Sequence, residues 1–458
     1  MKNWRKEHVL IIGAARQGVA LSRYLCARGS EVTLNDSRNA DQLAKNLEPL
    51  KDLPIQFVLG NHPQELLDGV TMVCISGGVS PEMPLVREAH NRGIPVSNDA
   101  QIFMDVVPCK TIGITGSAGK TTTTTLVGRI CRAGANADQK VWVGGNIGTP
   151  MITFIDEISP SDLVILELSS FQLELMTTSP NISAILNITP NHLDRHGTME
   201  AYKAAKRRIL DYQKPDDEAI LCRDDAGSVD LASYVKGRLS TFGWNIPMDR
   251  VPGTYLLDET IKYFDGKSET PLLIREDIKL RGDHNVLNVL AACAISTAAG
   301  MLPGAILEGI KDFGGVDHRL EYVDTVKGAA WYNDSIATAP ERTMAAIRSF
   351  SESLILLIGG RDKNLPWEDL ANLIEKRVDH VVVLGEAAPK ILSALEKVRQ
   401  GKFTIDHAAG LQEAVKLASE RAEPDDVVLL SPGGTSYDEF EDFEERGECF
   451  RTLVKDLH

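Results

Sequence analysis

Residues 111–122 read Thr-Ile-Gly-Ile-Thr-Gly-Ser-Ala-Gly-Lys-Thr-Thr, a strand-like apolar run that passes through two glycines into a threonine-rich helix start. Such a junction commits the chain to a strand–turn–helix unit, and repeated units of this kind build parallel sheets with right-handed crossovers. The segment also points to a chemistry. Gly116 and Gly119, with the small Ser117 and Ala118 between them, let backbone N–H groups approach phosphate oxygens. The helix start adds donors, and Lys120 adds a cation. Thr121, followed by Thr122, stands where a hydroxyl can hold Mg²⁺. The strict phosphate-loop pattern has a further glycine where this chain has Ile114. A glycine turn capping an ordinary buried strand is the competing reading, and Gly-Lys-Thr-Thr directly after a strand weighs against it.

The strand–helix alternation runs from the N-terminus and restarts twice. Strands are expected at His8–Ile12, Glu31–Leu34, Ile55–Leu59, Thr71–Ile75 and Pro95–Ser97, with a helix over Val19–Arg28. After Thr111 they are expected near Leu163–Leu166 and Ser183–Ile188, and after Gly314-Gly315 at Leu354–Ile358, His380–Leu384 and Val427–Leu430. Three α/β domains follow, over residues 1–106, 107–315 and 316–458, each with a mainly parallel sheet.

The net charge of −15 argues against non-specific binding of nucleic acid or an anionic membrane. The seven cysteines, at 26, 74, 109, 131, 222, 293 and 449, have no metal-like spacing, and they fit reduced, buried thiols. The first residues carry no apolar segment of the secretory kind, and the apolar stretch Val286–Ile306 is broken by Asn288, Ser296, Thr297, Gly300 and Pro303. An alanine-rich core helix and a cytoplasmic enzyme without membrane insertion are expected.

Other segments carry chemistry with less force. Gly13-Ala-Ala-Arg16-Gln17-Gly18 followed by Asp36 has the layout of a dinucleotide turn, but the middle glycine is Ala15. A nicotinamide-dependent oxidoreductase is weakened by that change, and another nucleotide over the same strand ends is favoured. Asp36, Arg38 and Ser76-Gly77-Gly78 stand at C-terminal strand ends, as ligand contacts or as turn residues. Glu167 ends a buried apolar strand, where a lone carboxylate is costly unless paired or metal-bound. His192 follows another strand and suits a second metal ligand or a helix cap. Lys203 and Lys206 lie one helical turn apart, which alone reads as a solvated basic face. Asn285 and Asn288 share one helix face, suited to a base or ribose, or to capping.

Taken together, Thr-Gly-Ser-Ala-Gly-Lys-Thr-Thr, Glu-Leu-Ser-Ser-Phe-Gln-Leu-Glu (167–174), Asn-His-Leu-Asp-Arg-His-Gly-Thr-Met (191–199), Asp-His-Asn-Val-Leu-Asn (283–288), Asp-His-Arg-Leu-Glu (317–321) and Asn-Asp-Ser-Ile-Ala-Thr (333–338) resemble the Mur ligases in type and order. So does Leu430-Ser-Pro-Gly-Gly-Thr-Ser-Tyr-Asp-Glu-Phe440, with Phe443-Glu-Glu-Arg-Gly447 after it. The resemblance implies a Rossmann-like N-terminal domain, a P-loop ATPase-like central domain and a Rossmann-like C-terminal domain. It implies ATP and Mg²⁺ as cofactors, with UDP-N-acetylmuramoyl-L-alanine and glutamate joined through an acyl phosphate by a monomeric enzyme of cell-wall precursor synthesis.

Carried over by motif, Lys120 would bind the β- and γ-phosphates, Thr121 and Glu167 one Mg²⁺, and His192 a second beside Lys206, the family's carbamylated lysine. Asn285, Asn288, Arg319 and Asp334 would surround the nucleotide. Arg16, Gln17, Asp36, Arg38, Ser76, Gly77, Asn146 and Ser169 would hold the UDP-substrate. His318, Thr338, Lys363, Ser436 and Phe443 would line the amino-acid pocket. Closure of domains over ATP and amino acid is a further expectation.

Two positions depart from the family's commonest form. Ile336 replaces a usual lysine, and Ala339-Pro340 replaces a usual asparagine after Thr338. A nearby cation, Arg361, Lys363 or Arg342, is the expected substitute. Sister ligases that add L-glutamate or another amino acid remain alternatives.

Overall fold

The computed structural model describes residues 3–363 and 365–458; Met1, Lys2, Asn364 and the side chain of Asp194 lie outside that description. The chain forms two compact units, Met1–Ile278 with Asp283–Asp312, and Lys279–Gly282 with Phe313–His458.

The first unit carries two sheets. Strands β1 (His8–Ile12), β2 (Glu31–Asp36), β3 (Ile55–Leu59), β4 (Met72–Ile75) and β5 (Val96–Ser97) are parallel in the order β3-β2-β1-β4-β5. The order reverses between β1 and β4, so a crevice opens at their C-terminal ends, where Gly13–Gly18 and Ser76–Gly78 lie.

The larger sheet takes β6 (Lys110–Thr115), β7 (Val141–Gly145), β8 (Leu163–Glu167), β9 (Ile182–Ile185), β10 (Glu218–Cys222), β11 (Arg238–Phe242), β12 (Gly253–Leu257), β13 (Thr260–Phe264) and β14 (Glu269–Ile274). Its order is β14-β13-β12-β11-β10-β9-β6-β8-β7. β6 sits between β8 and β9, so the phosphate-loop segment emerges beside the ends of both. Its last two strands form an antiparallel extension that the apolar patterning did not reveal, because β13 and β14 mix polar and apolar residues at a half-exposed edge.

The second unit holds β15 (Glu321–Val326), β16 (Ala329–Asn333), β17 (Leu354–Gly359), β18 (His380–Leu384), β19 (Thr404–Ala408) and β20 (Val427–Gly433) in the order β15-β16-β20-β17-β18-β19, parallel except at β15. Central strands such as Leu-Ile-Leu-Leu-Ile-Gly in β17 are buried along their whole length, which explains why continuous apolar runs located them.

Element boundaries differ from expectation by up to three residues. The first helix starts at Arg16, three residues early, because it begins directly at the glycine turn. β9 ends at Ile185 instead of Ile188, since Asn187 leaves the sheet to bind the phosphate loop. The apolar stretch after Val286 forms two helices, Asp283–Ala298 and Pro303–Ile310, and no helix among the described residues is long and apolar enough to cross a membrane. The seven cysteines form no disulfide, and burial pushes the Cys131 thiol up to about 12.

Candidate active site

The loop after β6 is built for an anion. Gly119 caps the helix Lys120–Gly134 at φ 81°, and a Cβ there would come within 2.2 Å of Asn288 Oδ1. Glycine is therefore required on two grounds, conformation and space. Asn187 braces the loop: its Oδ1 accepts from Ala118 N (2.8 Å), its Nδ2 donates to Ala118 O (3.1 Å), and its carbonyl accepts from Ser117 N (2.9 Å). Ser117 Oγ donates to Thr189 O (2.9 Å) and lies 3.0 Å from the Tyr202 hydroxyl. A helix start leaves its first-turn amides without intrahelical acceptors, which suits this end of the helix to an anion. Lys120 Nζ donates to Gly116 O (2.9 Å) and Ser117 O (3.3 Å).

Beside it, Glu167 ends β8 with 2% of its surface exposed. Its oxygens accept from Thr121 Oγ1 (2.8 Å) and Asn146 Nδ2 (2.8 Å). Neither partner carries charge, and the carboxylate with the Thr121 hydroxyl offers oxygen donors of the kind a hard divalent cation takes. Among the described residues, no three His, Cys, Asp or Glu side chains cluster as a metal site, so Thr121 and Glu167 could supply only part of a cation's shell.

Lys206 is on the helix Met199–Asp211 and is 1% exposed, whereas its neighbour Lys203 is at the surface, paired with Asp230 at 2.9 Å. Lys206 Nζ donates to Gly116 O (2.9 Å) and Thr115 Oγ1 (3.3 Å), so both lysines share the Gly116 carbonyl. Burial first, and then the neighbouring Lys120 charge, hold the Lys206 amine well below the usual lysine range, against a weaker pull from Glu167.

His192 is exposed at φ 52°, the cap of the short helix Leu193–His196, with its ring edge-on to Phe171 at 5.1 Å. His196 was not singled out by the sequence. Its side chain is buried, stacked on Phe171 at 5.2 Å, and held by Ser170 Oγ (2.9 Å) on Nε2 and Glu174 Oε1 (2.9 Å) on Nδ1.

In the N-terminal crevice, Asp36 is tied to its own turn. It accepts from Ala14 N (2.8 Å) and from Arg38 N, Nε and Nη2 (2.9, 3.0 and 2.9 Å). Burial works to raise its pKa, but these hydrogen bonds prevail and hold it at about 2. Asp36 thus does turn chemistry and presents Arg38 outward. Gln17 Oε1 accepts from Gly77 N at 3.4 Å, Ser76 Oγ donates to Gly13 O at 3.1 Å, and Arg16 is exposed at the rim. Ser169 caps the helix Ser170–Leu173 in a capping box with Gln172. Asn288 is 8% exposed against Gly119, with Asn285 bonded to it at 3.0 Å.

In the second unit, Asp334 follows β16 and accepts from Leu320 N (3.2 Å) and Ser431 Oγ (2.8 Å). Burial raises its pKa to about 7, opposed by those bonds and by Arg319 and Arg342. A carboxyl raised in the folded state contributes stability that is complete below the unfolded value of about 3.9 and is lost as pH rises through about 7. Asp334→Asn is therefore expected to gain stability over the wild type, on the order of a few kcal/mol, between pH 4 and 8. Denaturant midpoints across that range check it; a constant difference would contradict it.

Lys363 Nζ reaches Thr338 Oγ1 at 3.4 Å. His318 is 6% exposed, 3.0 Å from Asn333 Nδ2, with Phe443 edge-on at 6.2 Å. Ser436 is buried in the turn after β20. The structure thus brings the expected amino-acid residues together as two pairs, Thr338 with Lys363 and His318 with Phe443. Of the three candidate substitutes for the usual lysine, Arg361 is paired with Glu386 at 2.8 Å, while Arg342 Nη1 sits 3.3 Å from the Ile336 carbonyl. Arg446, which the sequence did not single out, is 3% exposed and binds Ser335 Oγ and O (3.0 and 2.8 Å) and Gly434 O (3.3 Å).

A phosphate loop and a buried strand-end carboxylate on adjacent strands of one sheet, with a buried lysine from the helix Met199–Asp211 beside the loop, in a chain with two further α/β sheets, define the class. Three family models match in chain order: the MurD-like N-terminal domain over residues 7–98, the Mur ligase middle domain over 114–296, and the Mur ligase glutamate ligase domain over 318–434. The chain belongs to the Mur ligase family.

Two relatives are UDP-N-acetylmuramoylalanine--D-glutamate ligases. That of Koribacter versatilis is 40% identical and that of Symbiobacterium thermophilum 39%, each alignment covering 99% of this chain and 98% of the relative. Among solved structures, the UDP-N-acetylmuramate-alanine ligase of Thermotoga maritima matches at TM-score 0.58 and 20% identity, over 99% of this chain and 100% of that one. MurF of Acinetobacter baumannii matches at 0.56 and 18%, over 98% and 93%. These two share the fold.

Proposed function

We infer that the protein is an ATP-dependent, ADP-forming ligase that adds D-glutamate to UDP-N-acetylmuramoyl-L-alanine in peptidoglycan precursor synthesis. The observation that carries the reading is full-length similarity to ligases of that name, coupled with a phosphate loop beside a buried carboxylate and a buried low-pKa lysine. A nicotinamide-dependent oxidoreductase has no support in the family match, and it leaves the phosphate loop without a purpose.

The chemistry follows from the groups. A carboxylate is a poor electrophile, so the alanyl carboxylate attacks the γ-phosphorus of ATP, giving an acyl phosphate and ADP. The deprotonated amine of glutamate then attacks the acyl carbon; the C–O bond breaks, phosphate leaves and the amide forms. Mg²⁺, when bound, neutralises charge on the transferring phosphoryl group. Thr121 and Glu167 would hold one such ion, and His192 with carbamylated Lys206 another. Lys120 would leave its loop carbonyls for the β- and γ-phosphates. Asn285, Asn288, Arg319 and Asp334 would serve the nucleotide, and Asn288 does so through the loop it supports. Arg16, Gln17, Arg38, Ser76, Gly77 and Asn146 would hold the UDP-substrate, with Asp36 and Ser169 shaping the turns around it. Thr338, Lys363, Ser436, His318 and Phe443 would serve the amino acid, and Arg342 supplies the charge that Ile336 lacks. A cytoplasmic, monomeric enzyme completes the proposal.

Phosphate release with ATP, Mg²⁺ and UDP-N-acetylmuramoyl-L-alanine, measured with D-glutamate, L-glutamate or diaminopimelate, tests it. Release with D-glutamate alone is expected. Release only with L-glutamate would overturn the stereochemical part, and no release with any amino acid would overturn the ligase.

A further inference from the structure

The helix Leu193–His196 is a single turn, too short to hold itself in place. It nevertheless carries His192 at its N-terminal end in a left-handed conformation. Side-chain contacts must therefore fix it. His196 supplies one set, to Ser170 and Glu174. Arg195 supplies another across the first unit. Its Nη1 donates to Gly77 O (2.7 Å) and its Nη2 to Val79 O (2.6 Å), in the turn after β4. Its guanidinium also lies over the Phe171 ring at 4.0 Å, the ring that contacts His192 and His196.

The Gly77–Val79 turn stands at the mouth of the N-terminal crevice, with Gly77 N on Gln17 Oε1. Arg195 thus joins the crevice turn to the segment that presents His192. Two parallel charge-assisted bonds from one planar fork fix distance and direction together, which a single ammonium cannot do.

Resting on the ligase reading above, we propose that Arg195 is a positioning residue that holds the sugar-nucleotide turn Gly77–Val79 in register with His192 and the phosphate loop. It touches backbone carbonyls and an aromatic ring and acts on the substrate through them. Its loss lets the turn and the His192 helix move apart, so the substrate carboxyl is presented to ATP less often, while the phosphate loop, braced by Asn187 and Asn288, is unaffected.

The test uses the full chain with Arg195→Ala and Arg195→Lys. Steady-state kinetics and calorimetric titration are run with UDP-N-acetylmuramoyl-L-alanine and, separately, ADP. For Arg195→Ala the KM and Kd of the UDP-sugar are expected to rise about tenfold or more and kcat to fall, with ADP affinity within about twofold of wild type. Arg195→Lys, which can keep one carbonyl bond, is expected to fall between.

Unchanged UDP-sugar affinity and kcat in Arg195→Ala would overturn the proposal. So would a parallel loss of ADP affinity, which marks general destabilisation, or a lysine variant as impaired as alanine. Wild-type protein that binds the UDP-sugar without ligating it would overturn the ligase reading alone, since the titrations still read Arg195. Wild-type protein that does not bind it would overturn both.

Discussion

Lys206→Ala is expected to lower the ligation rate by about 10²–10³-fold, the scale of removing a charge that acts on the transition state. The reason lies in the contrast between two lysines on one helix. Lys203 is at the surface with a carboxylate partner, whereas Lys206 is 1% exposed and shares the Gly116 carbonyl with Lys120. Burial and that neighbouring charge favour the neutral amine. A neutral amine adds to CO₂, releasing a proton and leaving a carbamate. That product reverses the sign of the group and gives it oxygen donors for a divalent cation. Short-chain carboxylic acids are expected to restore part of the activity of the alanine variant, because they replace the lost oxygens in the space the side chain vacates. Unchanged activity would reject the role, and loss of activity in a folded variant with no rescue would argue for a purely structural lysine.

Lys120→Ala is expected to cost about 10³-fold in phosphoryl transfer, because no other cation on the loop compensates the γ-phosphate charge. Single-turnover formation of ADP with UDP-N-acetylmuramoyl-L-alanine measures it. Since the crevice of the first sheet is held by its own turns, as the Asp36–Arg38–Ala14 bonds illustrate, and by the Arg195 bonds to Gly77 and Val79, none of which uses the Lys120 side chain, affinity for the UDP-sugar should stay within about twofold. A rate within tenfold of wild type would remove Lys120 from the phosphate site. Equal loss of UDP-sugar binding would mean that the loop holds the first unit together.

Much of this site was legible because its residues occur in short contiguous runs. Gly116–Thr122 and Glu167 sit at the C-terminal ends of buried strands, and parallel-sheet geometry sends such ends to one edge of the sheet. The basic-face reading suited Lys203 and failed for Lys206, because helical periodicity says which side a residue occupies and nothing of what packs there. Asn187 was hidden by its place after an apolar run, which read as more strand. His196 and Arg195 stood inside a recognised motif yet drew no attention, since their partners are 26 and 118 residues away, at Ser170 and Gly77. Arg446 was invisible for the same reason, its acceptors on Ser335 being 111 residues away. The antiparallel extension β12–β14 escaped because edge strands carry mixed residues, as at Lys262 and Tyr263.

The central claim is that phosphate at this loop is given to a substrate carboxyl group. Tracing oxygen tests it most directly. With ¹⁸O in both oxygens of the alanyl carboxylate of UDP-N-acetylmuramoyl-L-alanine, the released phosphate is expected to carry one ¹⁸O atom, because the bridging oxygen of the acyl phosphate leaves with phosphorus. Phosphate with no label from the substrate, its new oxygen drawn from water, would contradict the account.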